Sequence, residues 1–328
     1  MSDSVTIEVP ARLHLGFLDM PGKASHRFGS IGLPLEDIST VLTMARAAET
    51  TVEGPESARV FEHLERLRAH LGIPDHHRVT VQRAIPGHAG LGSGTQLALA
   101  VAAALRSLHD LPFAIEDDAT FLGRGTRSGI GIAAFDAGGL ILDAGRSRGD
   151  RAPTVIARVP FPAEWRILLV FDSSAEGIHG EAEIAAFRSL PAFPVESSAA
   201  ICRMALMGLL PALLERDISG FGEAVAAIQT EIGGYFAPAQ GGLFTSKAVE
   251  TTLQRLSAAG AVGSGQSSWG PTGFAFARSE ADAERIVTAA AVSEAGISVH
   301  IVPGRNRGAT ITQCLMPPRI ELRHGRHH

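Results

Sequence analysis

A glycine-rich turn between a strand and an almost wholly apolar helix constrains this chain more than any other feature. Residues 78–83 read RVTVQR, an alternation that suits a half-buried strand. Residues 96–108 are rich in Ala and Leu with few polar side chains, the composition of a helix covered on most sides. Between them residues 86–96 read PGHAGLGSGTQ. A helix start carries unpaired N–H groups and the positive end of the dipole, and glycines let an anion approach the main chain. Gly90, Leu91, Gly92, Ser93, Gly94, Thr95 and Gln96 are therefore expected to cradle phosphate. The plain alternative is a tight turn in which Ser93 or Thr95 caps the helix. No lysine follows the glycines, which excludes the Walker pattern, and the spacing of GLGSGT fails the dinucleotide GxGxxG pattern.

The surrounding chain supplies a scaffold of mixed type. Residues 5–9 alternate and residues 139–143 form a short apolar run, so both suit strands, while residues 57–71 carry apolar side chains at helical spacing. A polar, Pro-containing stretch at 150–162 precedes a new strand at 166–171. Helices are expected at 180–190, 197–214, 217–232, 247–259 and 280–295, with strands at 273–277, 298–302 and 309–314. An α+β or α/β class follows. The expected organisation is a first domain over 1–155, a second over 156–318 and a basic tail over 319–328, in which His324, His327 and His328 are read as a solvated end.

Composition narrows the partners. Lys plus Arg number 29 against 34 Asp plus Glu, a net charge of −5, so no global basic field is available for nucleic acid. Any anion site must come from local geometry. The longest uninterrupted apolar stretch runs from 97 to 105, well short of the roughly 20 residues of a spanning helix, so no membrane insertion is expected. The first residues lack a secretory pattern, and a cytoplasmic protein is expected. Cys202 and Cys314 fit neither a disulfide framework nor a metal site and are read as reduced.

Two further segments carry polar groups of interest. Residues 260–273, GAVGSGQSSWGPTG, combine small residues with the donors Gln266, Ser267, Ser268 and the indole of Trp269, a mixture able to close over a polar ligand or simply to join a helix to a strand. In PARLHLGFLD (residues 10–19), alternation turns Leu13 and Leu15 one way and Arg12 and His14 the other. Arg12 and the later Arg27 carry guanidinium forks suited to phosphate or carboxylate, and Asp19 suits a metal or a proton. Surface ion pairs are the plain alternative for each.

Together these pieces resemble the GHMP superfamily of small-molecule kinases. Its first motif resembles residues 10–16 (PARLHLG), its second residues 86–96, and its third the glycine cluster ending near Gly273. The resemblance implies a two-domain α+β fold, with a ribosomal S5 domain-2-like first half, a ferredoxin-like second half and a ligand cleft between them. Such kinases carry a catalytic Asp in an SGxD stretch; here Ser128-Gly129-Ile130-Gly131 stands there, and a glycine accepts no proton. Within the superfamily, LHLGFLD, RFGSIGL, GLGSGTQLALA, GIHGE and GQSSWGPT are similar to the β-ribofuranosylaminobenzene 5′-phosphate synthase family.

That resemblance implies a reaction joining 5-phosphoribosyl 1-diphosphate (PRPP) to 4-aminobenzoate or 4-hydroxybenzoate, with loss of carbon dioxide and pyrophosphate, early in tetrahydromethanopterin biosynthesis. It also implies a cytoplasmic homodimer. On this expectation residues 90–96 hold the diphosphate with Mg²⁺ carried on it, Arg27 or Arg12 holds the carboxylate, and Asp19 orients the amino group or metal. His14 and His179 are secondary candidates, and Gln266, Ser267, Ser268 and Trp269 meet the 5-phosphate or the ring. The competing readings are an ATP-dependent kinase using Asp136 or Asp143 as base, and a non-catalytic phosphate or nucleotide sensor of the same fold.

Overall fold

A computed structural model describes residues 4–20, 28–146, 153–178 and 180–314. Expectations that fall on Arg27, His179 and the tail from 319, His324, His327 and His328 included, lie outside the described residues. In chain order the first half comprises β1 (Ser4–Phe17), β2 (Ser30–Ala47), β3 (Thr51–Glu53), α1 (Ser57–Leu71), β4 (His76–Arg83), α2 (Ser93–Leu108), α3 (Ile115–Phe121), α4 (Ile130–Asp136), β5 (Leu140–Asp143) and β6 (Val155–Val159). There follow β7 (Arg166–Asp172), α5 (Gly180–Ser189), α6 (Val195–Met204), a π-helical stretch (Ala205–Leu209), α7 (Leu210–Glu215), α8 (Ile218–Gln240) and α9 (Lys247–Ala258). The chain continues through β8 (Val262–Gln266), β9 (Gly273–Ala277), α10 (Glu280–Ala290), β10 (Ile297–Pro303) and β11 (Thr310–Cys314).

The first sheet runs β11-β1-β2-β4-β3, with β5 on β2 and β6 on β5. Two of its strands lie at or beyond residue 155: β6 pairs with β5, and β11 returns to pair with β1. Arg305, 1% exposed, fastens that return; its main-chain N–H donates to the Pro34 carbonyl and its guanidinium to Glu36 at 2.8 Å. The second sheet, β10-β7-β9-β8, is antiparallel throughout. Its strands, taken in order of appearance, stand 4-1-3-2 with helices after the first and third, which is the ferredoxin-like arrangement.

Burial explains which elements form. The sequence of α1 places Val60, Leu64 and Leu67 on one stripe against α2 and the sheet, and all three are buried. From Gln96 onward α2 is buried on every face, as its composition requires. Arg106 on α2 grips Asp118 on α3 with two hydrogen bonds of 2.6 and 2.7 Å, so the charges buried there are paired. β1 passes from one core to another: Val5, Ile7 and Val9 lie under α1 and α2, while Leu13, Leu15 and Phe17 join a core shared with α6, α8 and the second sheet. The register slips between Pro10 and Arg12 and again between His14 and Gly16, in the stretch that carries Arg12 and His14.

One helix bears on the expectation of no membrane insertion. The helix over Val195–Glu215 is long and apolar enough to cross a membrane by length and composition, with 28% of its most apolar stretch buried. Ile201, Ala205, Leu209, Ala212 and Leu213 face the core, and Leu206, Met207 and Leu214 are exposed. Charged residues at Arg203 and Glu196 interrupt the run, which is why counting uninterrupted apolar residues missed it.

Candidate active site

The glycine turn forms one wall of a cleft of about 480 Å³ between the two halves. Gly90, Gly92, Ser93, Gly94 and Thr95 line it. Gly92 stands immediately before α2 with φ +79°, and no side chain caps this end of the helix, so the first-turn N–H groups face the cleft without the Ser93 or Thr95 cap that a purely structural turn would show. The remaining two residues of the expected cradle turn inward. Leu91 is 1% exposed in the core, and the buried Gln96 amide donates to the Gly131 carbonyl at 2.7 Å.

Arginines make up the opposite charge. Arg12 reaches from β1 under the turn, donating to the Gly90 carbonyl at 2.7 Å, and a Cβ at Gly92 would stand 3.1 Å from its guanidinium carbon. Arg59 on α1 and Arg124 after α3 flank Gly94, where a Cβ would lie 2.9 and 3.2 Å from their terminal nitrogens. Burial drives the Arg12 pKa down to about 10 against a smaller upward pull from Glu183. Arg124 is lowered by burial and then by Arg59 and Arg66. An anion between them would offset the cost of holding these charges there. Among the described residues the one carboxylate in the lining, Glu183, is paired with Arg127, whose guanidinium lies 4.8 Å over the Phe187 ring. Sequence reasoning found Arg12 but not Arg59 or Arg124.

The third glycine segment locks the turn in place. The Ser267 hydroxyl donates to the Gly90 carbonyl at 2.8 Å and accepts from the His14 main-chain N–H at 3.0 Å. Gly90 admits no other residue, since a Cβ there would sit 2.1 Å from the Ser267 carbonyl oxygen. Ser268 and Trp269 line the cleft, while Gln266 and Ser267 lie behind it. The expected loop is in part a strand, since residues 262–266 form β8; its small side chains pack under α8, where a Cβ at Gly265 would meet Gln229 at 2.4 Å.

Beyond Ser268 and Trp269 a second, much smaller space of about 20 Å³ adjoins the cleft, lined also by His14, Phe17, Gln229, Phe236 and Gln266. His14 is 3% exposed and packs on Phe17 at 4.5 Å. Asp19 lines neither space; its carboxylate accepts from the Met20 N–H at 2.8 Å.

The space beside Gly131, where the resemblance expects a kinase base, is closed. A Cβ at Gly131 would lie 2.9 Å from the Thr95 methyl, so Thr95 fills the volume that a side chain there would need. Neither substitute base considered from the sequence lines the cleft. Asp136 is exposed beside Arg158, and the buried Asp143 spends its two oxygens on the N–H groups of Gly129 and Gly145 at 3.0 and 2.7 Å. Burial, offset in part by these bonds, raises the Asp143 pKa to about 7. Cys202 is half-buried and Cys314 exposed, both as free thiols.

An S5-like half carrying a glycine turn, joined to a ferredoxin-like half, defines the GHMP class of protein. The family models described as "GHMP kinases N terminal domain" and "GHMP kinases C terminal" match residues 58–139 and 209–293. Solved structures of the same fold include homoserine kinase from Cytophaga hutchinsonii (TM-score 0.67, 19% identity, 95% of this chain and 98% of that one). Mevalonate diphosphate decarboxylase from Staphylococcus aureus is a further example (TM-score 0.68, 14% identity, 95% and 98%). Among curated proteins, the beta-ribofuranosylphenol 5'-phosphate synthase of Methanothermobacter thermautotrophicus is 32% identical over 92% of this chain and 97% of its own length. That of Archaeoglobus fulgidus is 33% identical over 69% and 75%. The chain belongs to this synthase family, an enzyme family within the GHMP superfamily.

Proposed function

We propose that the chain condenses PRPP with a 4-substituted benzoate, 4-hydroxybenzoate or 4-aminobenzoate, releasing pyrophosphate and carbon dioxide. One observation carries the reading: three arginines and an uncapped helix start converge on a glycine turn, while the neighbouring position that would hold a kinase base is a glycine with no room for a carboxylate. Such a site favours departure of an anion over activation of a hydroxyl. As the bond between ribose and diphosphate breaks, charge gathers on the leaving oxygens. Fixed N–H and guanidinium donors aimed at that charge lower the barrier most, because they need no rearrangement as it develops. Arg12, Arg59 and Arg124 would neutralise the diphosphate, and the Ser93–Thr95 main chain would orient it.

The names of the curated relatives support the ribosyl-aromatic product, and the absent base speaks against an ATP-dependent kinase. The expected Mg²⁺ has no dedicated cage: the described residues contain no cluster of three or more metal-ligating side chains, and the cleft offers cations with a single, already paired carboxylate. These residues fit the anion rather than the ion, so Mg²⁺ belongs to this reading only as a companion of the substrate diphosphate. On the same reading the product enters tetrahydromethanopterin biosynthesis, made by a cytoplasmic homodimer.

The test is direct. Purified protein with Mg²⁺, PRPP and either carboxyl-labelled acid is expected to release labelled carbon dioxide and pyrophosphate in equal amounts. Saturable PRPP binding with neither product would make the protein a sensor, and ADP formed from ATP with an alcohol would make it a kinase.

A further inference from the structure

The small space behind Ser268 and Trp269 holds an imbalance that the anion cleft does not explain. Its wall contains one buried side-chain nitrogen or oxygen without a partner among the described residues, the Nε2 of His14. Both glutamines around it are committed. Gln229 donates to the Leu15 carbonyl at 2.7 Å and accepts from the Gln266 N–H at 2.8 Å. Gln266 accepts from the Thr245 N–H at 2.7 Å and donates to Gln240 and to the Ser268 carbonyl. The neutral imidazole has one nitrogen that donates and one that accepts, and with the proton on Nδ1 the Nε2 lone pair faces this space. An unpartnered acceptor buried in a mostly apolar wall carries a desolvation cost unless a donor arrives with the ligand. Phe17, Phe236 and Trp269 supply the rest of the wall, and the space is about one water in size.

Resting on the reading above, we propose that His14 is a catalytic residue: its Nε2 accepts the hydrogen of the ring substituent opposite the carboxylate, with that substituent alone entering the small space and the ring lying across Ser268 and Trp269. The carboxylate-bearing carbon then faces the cleft, where the sugar and its diphosphate lie. That carbon attacks C1 of the ribose as the C1–O bond to diphosphate breaks, and the ring becomes a cyclohexadienone. The hydroxyl proton, weakly acidic in the free acid and strongly acidic at this stage, passes to Nε2. The electron pair of the carbon–carboxylate bond returns to the ring, carbon dioxide leaves, and the oxygen recovers its proton from Nε2. Atoms and charge balance without any further reactant.

Burial and the neighbouring Arg12 hold the His14 pKa down to about 3, so the imidazole is neutral at working pH and takes the proton only once the hydroxyl has become strongly acidic. Nε2 has a single lone pair for a single donor. A hydroxyl offers a single hydrogen and an amino group two, so 4-hydroxybenzoate is preferred to 4-aminobenzoate by at least tenfold in kcat/KM. A 4-methoxy group, which offers none and is larger than the space, is rejected.

The experiment compares these three acids with wild type, His14→Phe and His14→Asn. If wild type releases no labelled carbon dioxide from any acid, the underlying reading fails, and this proposal with it. If wild type turns over, His14→Phe is expected to lower kcat for 4-hydroxybenzoate at least 100-fold, with pyrophosphate affinity within threefold of wild type. His14→Asn is expected to recover part of that loss because it restores an acceptor. Wild-type turnover in His14→Phe, or an unaltered ratio of hydroxyl to amino substrate in both variants, would overturn the assignment while leaving the reaction standing. Should both variants fail to fold, the wild-type protein decides. Adding 4-hydroxybenzoate with pyrophosphate should move the ¹⁵N signal of an unprotonated histidine nitrogen upfield, whereas 4-methoxybenzoate should not; no movement overturns the proposal.

Discussion

Arg124 shows how the site trades stability for affinity at the scale of one residue. The residue is half-buried near Arg59 and Arg66, and burial first, then those charges, lower its pKa. Without an anion the charge is unfavourable where it stands. Arg124→Gln is therefore expected to leave the melting temperature unchanged or raise it by a few degrees in plain buffer. The same change should weaken pyrophosphate binding by about 10- to 100-fold, the value of one charged hydrogen bond or two. Because a ligand stabilises according to its concentration over Kd, millimolar pyrophosphate should raise the melting temperature of wild type well above that of the variant. Thermal melts with and without pyrophosphate check both halves, and a variant that binds as tightly as wild type would remove Arg124 from the site. Such residues were not legible in the sequence. Arg59 lies on the polar face of an amphipathic helix and reads as a solvated charge until α1 packs beside α2 and brings it to Gly94. Arg12 was legible because strand alternation alone turns it away from Leu13 and Leu15, which are buried as expected.

Between elements, the contact of α2 with α4 closes the space beside Gly131. A glycine inside a helix usually costs about 1 kcal/mol relative to alanine, so Gly131→Ala would ordinarily stabilise α4. Here the new Cβ would stand 2.9 Å from the Thr95 methyl, and the substitution is expected to destabilise by about 1–2 kcal/mol. Thr95→Ala should remove most of that penalty, giving a coupling energy of about 1–2 kcal/mol in a double-mutant cycle measured by urea unfolding. Additivity within error would mean that the two helices do not compete for this space. The sequence signalled the vacancy at Gly131 but not the contact that fills it. Elements with one covered face were likewise readable: α1 and α9 from helical period and β4 from alternation, each within two residues of its expected limits. β2 was not, because the stretch from Ser30 to Leu35 is buried on both faces and carries no alternation to read.

Over the whole molecule, buried titratable groups set how stability depends on pH. His14, His63 and His77 are at most 3% exposed, and burial first, then nearby charges, lower their pKa values from 6.5 to about 3, 4 and 4. A group depressed in the folded state takes its proton on unfolding, so each histidine withdraws stability as pH falls below 6.5 toward its folded value. Asp143 acts the other way: raised from 3.8 to about 7, it holds a proton in the folded state that the unfolded chain releases, and its stabilising contribution at low pH disappears as pH rises through 7. Between about pH 4.5 and 6 the histidines win, with a net uptake of about two protons on unfolding. At about 1.4 kcal/mol per pH unit per proton, unfolding free energy should climb by about 3 kcal/mol per unit across this range and level off near pH 6.5. Among the described residues His63 has no hydrogen-bond partner on either ring nitrogen, so His63→Leu should fold and reduce that slope by about half. Urea titrations at half-unit intervals measure it; a flat profile between pH 4.5 and 6 would mean that these imidazoles reach their protons in the folded protein, and that His14 in particular is not sealed away as the fold requires.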